Sequence, residues 1–239
     1  LGASTNEAQE NVALQVAEQM AAYLNSGTVT NALNIPSVSA EDAKKLKPYI
    51  ALMRLLGSFA GQITETGLKS IEIEYEGGVG KLNTKPLTAV ALQGLLEPLM
   101  EGVNMVNAPV IAQERKISVS EKSSEQVGNY QNLIKITVTT EKQTRTVSGT
   151  LFAKTPRIVE VNDVKVEAGP APYMLYINNE DKPGFIGNLG RVLGEAGINI
   201  ANFHLGRSES RQDAIALVEV DSQPSPQNMK DISALPSVK

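Results

Sequence analysis

The stretch from Tyr173 to Leu205 constrains the fold of this chain more than any other. Its first part, Met174–Ile177, is an apolar run typical of a buried strand. Polar residues and then Pro183-Gly184 predict a loop that ends this strand. Gly197 stands where a left-handed cap would end a helix, so that a second strand can follow. Apolar residues recur between the two glycines at the spacing of a helix, at Ile186, Leu189, Leu193 and Ala196.

The loop before this helix is a candidate site for an amino acid. The N-terminus of a helix offers unpaired backbone N–H groups and the positive end of the helix dipole, which favour a carboxylate. Asn179 and Asp181 could add a donor or an acceptor beside it, and an acidic side chain can hold an ammonium group. The alternative is an ordinary turn in which the Asn and the Asp only bind the local backbone. The spacing alone favours that alternative.

Composition excludes several kinds of site. The 239 residues contain no cysteine and one histidine, His204, so disulfides, thiolate nucleophiles, iron–sulfur clusters and zinc sites rich in histidine are excluded, and no metal site is expected. The net charge of −4 argues against nucleic acid as a main partner. No apolar run approaches the length of a membrane span, and no signal peptide is visible, so a cytoplasmic protein without a membrane partner is expected.

Residues 4–24 contain the clearest predicted helix. Ser4 and Glu7 have the spacing of a capping box at its start. Apolar residues form one stripe along it, at Val12, Ala13, Val16, Ala17, Met20, Ala21 and Leu24. No comparable helix lies nearby in the sequence to pack on this stripe. Residues 1–28 are therefore expected to pack against a neighbouring domain or chain.

Residues 29–168 predict one α+β domain with an antiparallel sheet. After the extended or linker segment Thr28–Ser39, a helix is predicted through Lys47, with a restart at Pro48. Gly57 and Gly61, four residues apart, would let another element approach this helix closely. The helix is expected to bury Ile50, Met53, Leu56 and Ala60.

From Ser70 onwards, apolar residues recur at every second position and no longer at the spacing of a helix, which is typical of half-buried strands. The glycine-rich segment Gly77–Lys81 lacks the residues of a phosphate loop and predicts a surface turn. Two helices are predicted at Leu87–Met100 and from Asn107 through Arg115. Alternation predicts further strands at Ile117–Glu121, Leu133–Thr140, Thr146–Ala153, Arg157–Val161 and Val164–Glu167, with Asn162-Asp163 as a two-residue turn.

Residues 172–239 predict the order β-α-β-β-α after a linker at Gly169–Pro172. Ala214–Val220 is the predicted third strand, and Ser225–Leu235 is a predicted short helix. A fourth strand would complete a ferredoxin-like β-α-β-β-α-β unit, and it would begin near Lys239. The predicted fold class is therefore α+β, an antiparallel-sheet domain followed by a ferredoxin-like domain without its last strand.

Three blocks of the sequence resemble the long form of the D-3-phosphoglycerate dehydrogenase family. The segment that closes the family's nucleotide-binding domain is similar to LGASTNEAQENVALQVAEQ at residues 1–19. The family's intervening domain is similar to VNMVNAPVIAQERKISVSE and VSGTLFAKTPRIVEVND. The ACT domain, a small amino-acid-binding module, resembles YINNEDKPGFIGNLGRVLGEAGINIANFHLGR. These blocks span nearly the whole chain.

The resemblance implies an NAD-dependent enzyme of L-serine biosynthesis that oxidises 3-phosphoglycerate to 3-phosphohydroxypyruvate. In the family, the catalytic histidine directly precedes the segment that matches Leu1, and the glycine-rich NAD loop lies further upstream. We therefore expect the regulatory part of such an enzyme, with no catalytic residue or cofactor of its own, assembled as a homodimer or homotetramer. The alternatives are a purely structural tetramerisation module and a stand-alone amino-acid sensor.

The resemblance also implies an effector site. The family's ACT domain binds L-serine, the end product, across a dimer interface. The polar contacts match Asn179, Asp181 and Asn199, and backbone groups near Gly184 and Phe185 would meet the carboxylate. Asn179 stands where better-known relatives carry His or Tyr.

A second, anionic ligand is implied for the intervening domain, which is similar to a domain proposed to bind an anionic effector or a substrate phosphate. Arg157 and Lys165 fall at basic positions of that region and are the candidate ligands. The alternative is that they are ordinary surface cations.

Overall fold

The computed structural model describes residues 4–26, 32, 40–65, 67–126, 128–208 and 213–239. Helix α1 spans Asn6–Ser26. The Thr5 hydroxyl caps it by accepting from the Ala8 N–H at 3.2 Å. The predicted capping box on Ser4 is therefore wrong by one residue, because Thr5 directly precedes the first helical turn. Apart from residue 32, the predicted linker and the boundary after residue 28 lie outside the described residues.

Three α-helices among the described residues belong to the first domain. They are α2 (Ala40–Gln62), α3 (Lys85–Leu96) and α4 (Ala108–Glu114). The predicted break at Pro48 is wrong, because buried residues on both sides of it, Leu46 and Leu52, join one core and hold α2 continuous. The predicted burial of Ile50 is also wrong, since that side chain is exposed.

The close approach to Gly57 and Gly61 is confirmed, and its partner is α3. A Cβ atom added at Gly57 would lie 2.3 Å from the Ala91 carbonyl oxygen, and one at Gly61 would lie 2.3 Å from that of Leu95. The backbone of α3 therefore rests directly on the glycine face of α2.

The first domain has a six-stranded sheet in the order β2-β1-β3-β4-β5-β6. Its strands are β1 (Leu68–Gly77), β2 (Ser118–Ser124), β3 (Asn132–Thr140), β4 (Thr144–Phe152), β5 (Thr155–Val161) and β6 (Val164–Ala168). Neighbours are antiparallel as predicted, except that β2 is parallel to β1 because α3 and α4 connect the two. The predicted turn at Asn162-Asp163 is confirmed, with φ of 49° and 63°. The predicted surface turn at Gly77–Lys81 is corrected: Gly77 ends β1, and Gly78–Lys81 forms a short 3-10 helix whose Val79 is buried in the core.

The second domain has a three-stranded sheet in the order β7-β9-β8. Its elements are β7 (Met174–Glu180), α5 (Phe185–Glu195), β8 (Ile200–Arg207), β9 (Asp213–Val220) and α6 (Pro226–Ser233). The last residues add to the free edge of β7: the Glu180 N–H donates to the Ser237 carbonyl at 2.7 Å, and the Lys239 N–H donates to the Asn178 carbonyl at 2.9 Å. This pairing begins a fourth strand where the ferredoxin-like order requires one.

Two local predictions in this domain are corrected. The strand β7 continues to Glu180, so Asn179 lies in a strand and not in the loop, because β9 and residues 237–239 pair with it on both sides. Phe185 enters the core in place of Ile186, which is 55% exposed. The cap at Gly197 is confirmed, with φ of 69°.

The two domains share a core. One face of the second sheet carries Leu175 and Ile177 towards α5 and α6. The other face adds Ile215 and Leu217 to the core of the first domain. The described residues contain no helix that is both long and apolar enough to cross a membrane.

Candidate functional site

The end of β7 places a buried amide at the candidate site. The Asn179 side chain is only 1% exposed. Side chains alternate along a strand, so Asn179 shares the face of Leu175 and Ile177, which α5 and α6 cover. Its Nδ2 donates to the Glu180 carbonyl at 2.9 Å. Its Oδ1 is buried and finds no hydrogen-bond partner in the part of the chain that the structure describes.

The start of α5 forms a second part of this site. Gly184 is the N-cap residue, with φ of 97°, a left-handed conformation that glycine adopts at little cost. No side chain of the described residues caps this helix end. Phe185 is buried and packs edge-on against Phe203, with ring centroids 6.4 Å apart. The first N–H groups of a rigidly anchored helix can therefore bind an anion.

Ion pairs surround this end of the sheet. Arg207 Nε lies 3.3 Å from Asp181 Oδ1, and Lys239 pairs with Asp213. The Lys182 ammonium holds the pKa of the Glu180 carboxyl below its usual value. The Asp181–Arg207 pair is partly exposed, and such pairs contribute only about 0–1 kcal/mol, so a ligand ammonium can compete with the guanidinium.

Asn199 lies at the opposite end of the same sheet. Its Nδ2 donates to Asp221 Oδ2 at 2.9 Å. Register places Ile200 beside Val220, whereas Arg207 pairs with Ala214 at the end that carries Asp181. The strand β8 separates these two ends by roughly 23 Å at about 3.3 Å per residue. One chain therefore brings Asn179, Asp181, Gly184 and Phe185 together, but not Asn199.

The two candidate anion ligands, Arg157 and Lys165, have different surroundings. Lys165 on β6 lies opposite Glu160 on β5 in the register of the two strands, and both residues line a cavity of about 300 Å³ together with Glu76. The guanidinium of Arg157 instead covers Gly169, and its Nε is buried without a partner among the described residues. Two carboxylates beside Lys165 make this cavity unfavourable for an anion. The assignment of Arg157 and Lys165 stays a prediction.

Sequence reasoning missed two features of this site. It did not pair Arg207 with Asp181, and it did not cover Asn179 with residues 237–239. Both depend on which strands become neighbours, so no local pattern could have revealed them. Among the described residues, no group of three or more His, Cys, Asp or Glu side chains could hold a metal ion.

Comparisons with known proteins match both domains. The family model for the D-3-phosphoglycerate dehydrogenase intervening domain matches residues 45–162, and the ACT domain model matches residues 173–237. The D-3-phosphoglycerate dehydrogenase of Bacillus subtilis is 37% identical over 240 residues, which cover 100% of this chain and 46% of that protein. The enzyme of that name from Methanocaldococcus jannaschii is 35% identical, over 100% of this chain and 45% of its own.

This chain thus spans about half the length of the relatives that it matches. The matched ranges agree with the two domains of the structure and confirm the resemblance predicted from the three sequence blocks. The chain belongs to the D-3-phosphoglycerate dehydrogenase family, of which it carries the intervening domain and the ACT domain.

Proposed function

We propose that this chain is the regulatory and oligomerisation part of a cytoplasmic, NAD-dependent D-3-phosphoglycerate dehydrogenase, and that its ACT domain binds L-serine as a feedback inhibitor. The whole enzyme would oxidise 3-phosphoglycerate to 3-phosphohydroxypyruvate. The observation that carries the proposal is the buried Oδ1 of Asn179 beside the opening of α5, which has no hydrogen-bond partner among the described residues. An unsatisfied buried acceptor costs about 1–3 kcal/mol, which a donor of the ligand would recover.

The ligand's two charges match the groups at this end of the sheet. The serine carboxylate would meet the N–H groups near Gly184 and Phe185. Its ammonium would bind the Asp181 carboxylate and displace Arg207. Since Asn199 lies at the far end of the sheet, a second copy of the chain would supply that residue. Binding and dimerisation would then be coupled, each strengthening the other.

The test is a calorimetric titration with L-serine. Asp181→Ala should weaken binding by about 1.5–3 kcal/mol, the contribution of a hydrogen bond to a charged group. Asn199→Ala should cost less, because its amide is neutral. Asp231→Ala removes an exposed carboxylate from α6 and should bind like the wild type.

Sedimentation tests the coupling of binding to assembly, and serine should raise the fraction of dimer or tetramer. The proposal fails if the wild type takes up no serine, or if both site variants bind as tightly as it does.

A structural tetramerisation module is the second candidate. It is favoured by the pairing of Asp181 with Arg207 and of Asn199 with Asp221 within one chain, which leaves neither in need of a ligand. That function predicts oligomers in sedimentation without any uptake of serine. A stand-alone sensor is disfavoured by α1, whose Leu14, Met20 and Leu24 side chains are exposed and require a covering surface.

A further inference from the structure

The intervening domain contains a cleft between α3, α4 and β2. Its volume is about 370 Å³, within the range of small-molecule sites. Val110 and Val119 are 52% and 37% exposed there, so the cleft presents apolar surface to solvent. Its other walls are also mainly apolar and include Ala89, Leu92, Met105, Val106 and Pro109.

One end of the cleft is polar and carries a carboxylate in a fixed position. The Thr88 hydroxyl donates to Glu121 Oε1 at 2.7 Å, and the Thr84 hydroxyl donates to Glu121 Oε2 at 2.7 Å. The Tyr75 hydroxyl lies 2.8 Å from Thr88 Oγ1. Since the Thr88 proton points to Glu121, Tyr75 donates to Thr88, and burial raises the pKa of Tyr75 so that it keeps its proton. This directed chain of hydrogen bonds ends on the carboxylate.

The negative charge of Glu121 has no counter-ion in the described residues. A carboxylate has about four acceptor positions, and the two hydroxyls fill only two of them. The neighbouring Lys122 pairs with Glu72 instead, at 2.8 Å. Lys85 lines the same cleft and provides a positive charge without forming an ion pair with Glu121. The cleft thus presents one carboxylate and one ammonium group beside an apolar wall.

We propose that this cleft binds a free α-amino acid with a large apolar side chain, such as leucine. The ligand ammonium binds Glu121, and its carboxylate binds Lys85. Its side chain covers Val110 and Val119 and removes their apolar surface from water. A charged pair alone would suit any amino acid, whereas the apolar wall selects for a large side chain. The site is independent of the effector site proposed in the ACT domain.

Calorimetric titration of the full 239-residue chain with L-leucine tests the inference. Saturable binding is expected. Glycine lacks the side chain and isoamylamine lacks the carboxylate, so each should bind at least about tenfold more weakly. Glu121→Gln keeps the size of the side chain but removes its charge, and it should lower the affinity for leucine about tenfold. Glu114→Gln, on the same domain but outside the cleft, is the matched control and should bind like the wild type.

Two further variants show whether leucine binds in this cleft or elsewhere on the chain. If Glu121→Gln changes the urea midpoint, Val110→Asp provides the second test, because this position is half exposed and the change places a charge in the apolar wall. Val110→Asp should also lose binding. Asp181→Ala should bind leucine normally. The inference is overturned if leucine is not taken up, if Glu121→Gln and Val110→Asp both bind like the wild type, or if only Asp181→Ala loses binding.

Discussion

At the scale of single residues, glycines determine how closely the two long helices of the intervening domain approach each other. Gly57 and Gly61 lie on α2 against carbonyl oxygens of α3. Gly94, on α3, also lies close to α2, since a Cβ atom added there would be 2.8 Å from the Ser58 nitrogen. The spacing of Gly57 and Gly61 predicted the close approach. It could not identify α3 as the partner, because that contact depends on the fold.

Gly57→Ala should destabilise the intervening domain. The new methyl group would meet the Ala91 carbonyl oxygen at 2.3 Å, so the helices must separate. Overpacking of this kind costs about 1–3 kcal/mol, measurable as a lower midpoint of urea unfolding. Gly194→Ala on α5 is the matched control, because no atom of the described residues lies within 4 Å of the added Cβ, and it should gain about 0.5–1 kcal/mol. Equal midpoints for Gly57→Ala and the wild type would show that the helices do not pack this closely.

At the scale of elements, β7 shows how pairing decides the state of a polar segment. The polar segment Asn178–Glu180 was predicted to belong to a loop, yet it continues the strand, because β9 pairs with it on one side and Ser237–Lys239 on the other. The pairing also buries Asn179. The candidate effector site therefore depends on the last residues of the chain.

A chain that ends at Pro236 should lose this support. It lacks the bonds from Glu180 to Ser237 and from Lys239 to Asn178, each contributing about 0.5–1.5 kcal/mol. The Glu180 amide should then exchange its hydrogen much faster, and the buried side of Asn179 should open to water. Lys239→Ala removes the ion pair with Asp213 but keeps the backbone bonds, so it should leave the Glu180 amide protected. Continued protection of Glu180 in the shortened chain would contradict the prediction.

The difference between local signals and the pairing of distant strands explains which predictions from the sequence succeeded. Apolar period and turn chemistry located the strands and helices of both domains, because these signals are local: Gly197 caps α5, and Asn162-Asp163 turns between β5 and β6. The parallel pairing of β1 with β2 could not be predicted, since the sequence does not state which strands meet. For the candidate site, loop chemistry and resemblance selected the residues. The distance between Asn199 and Asp181 required the register of β8.

Across the two domains, the protein is held together by a shared packing interface. Tyr176 of β7 packs edge-on against Phe59 of α2, with centroids 5.7 Å apart, and its hydroxyl lies 3.4 Å from Asn162 Nδ2. Tyr176 stands three residues before Asn179 on the same strand. A ligand that shifts the end of β7 would therefore act on the intervening domain through this contact.

Gly206→Ala should weaken the packing between the two domains. Gly206 of β8 faces β6 so closely that a Cβ atom would lie 2.3 Å from the Lys165 carbonyl oxygen and 2.8 Å from Val164 Cγ1. The backbone of β6 cannot yield without disturbing its pairing with β5, so the ACT sheet must move away and the contact between Tyr176 and Phe59 must loosen.

Urea unfolding, followed by the amide signals of each domain, tests this prediction. We expect the wild type to unfold in one transition that the signals of both domains report alike, because the domains share a core. In Gly206→Ala the ACT signals should be lost at lower urea than those of the intervening domain. Gly190→Ala lies in the ACT domain too, but its added Cβ would have no atom of the described part of the chain within 4 Å, so this variant should keep the single transition. Coincident transitions in Gly206→Ala would mean that the two domains are coupled by contacts elsewhere than at β6 and β8.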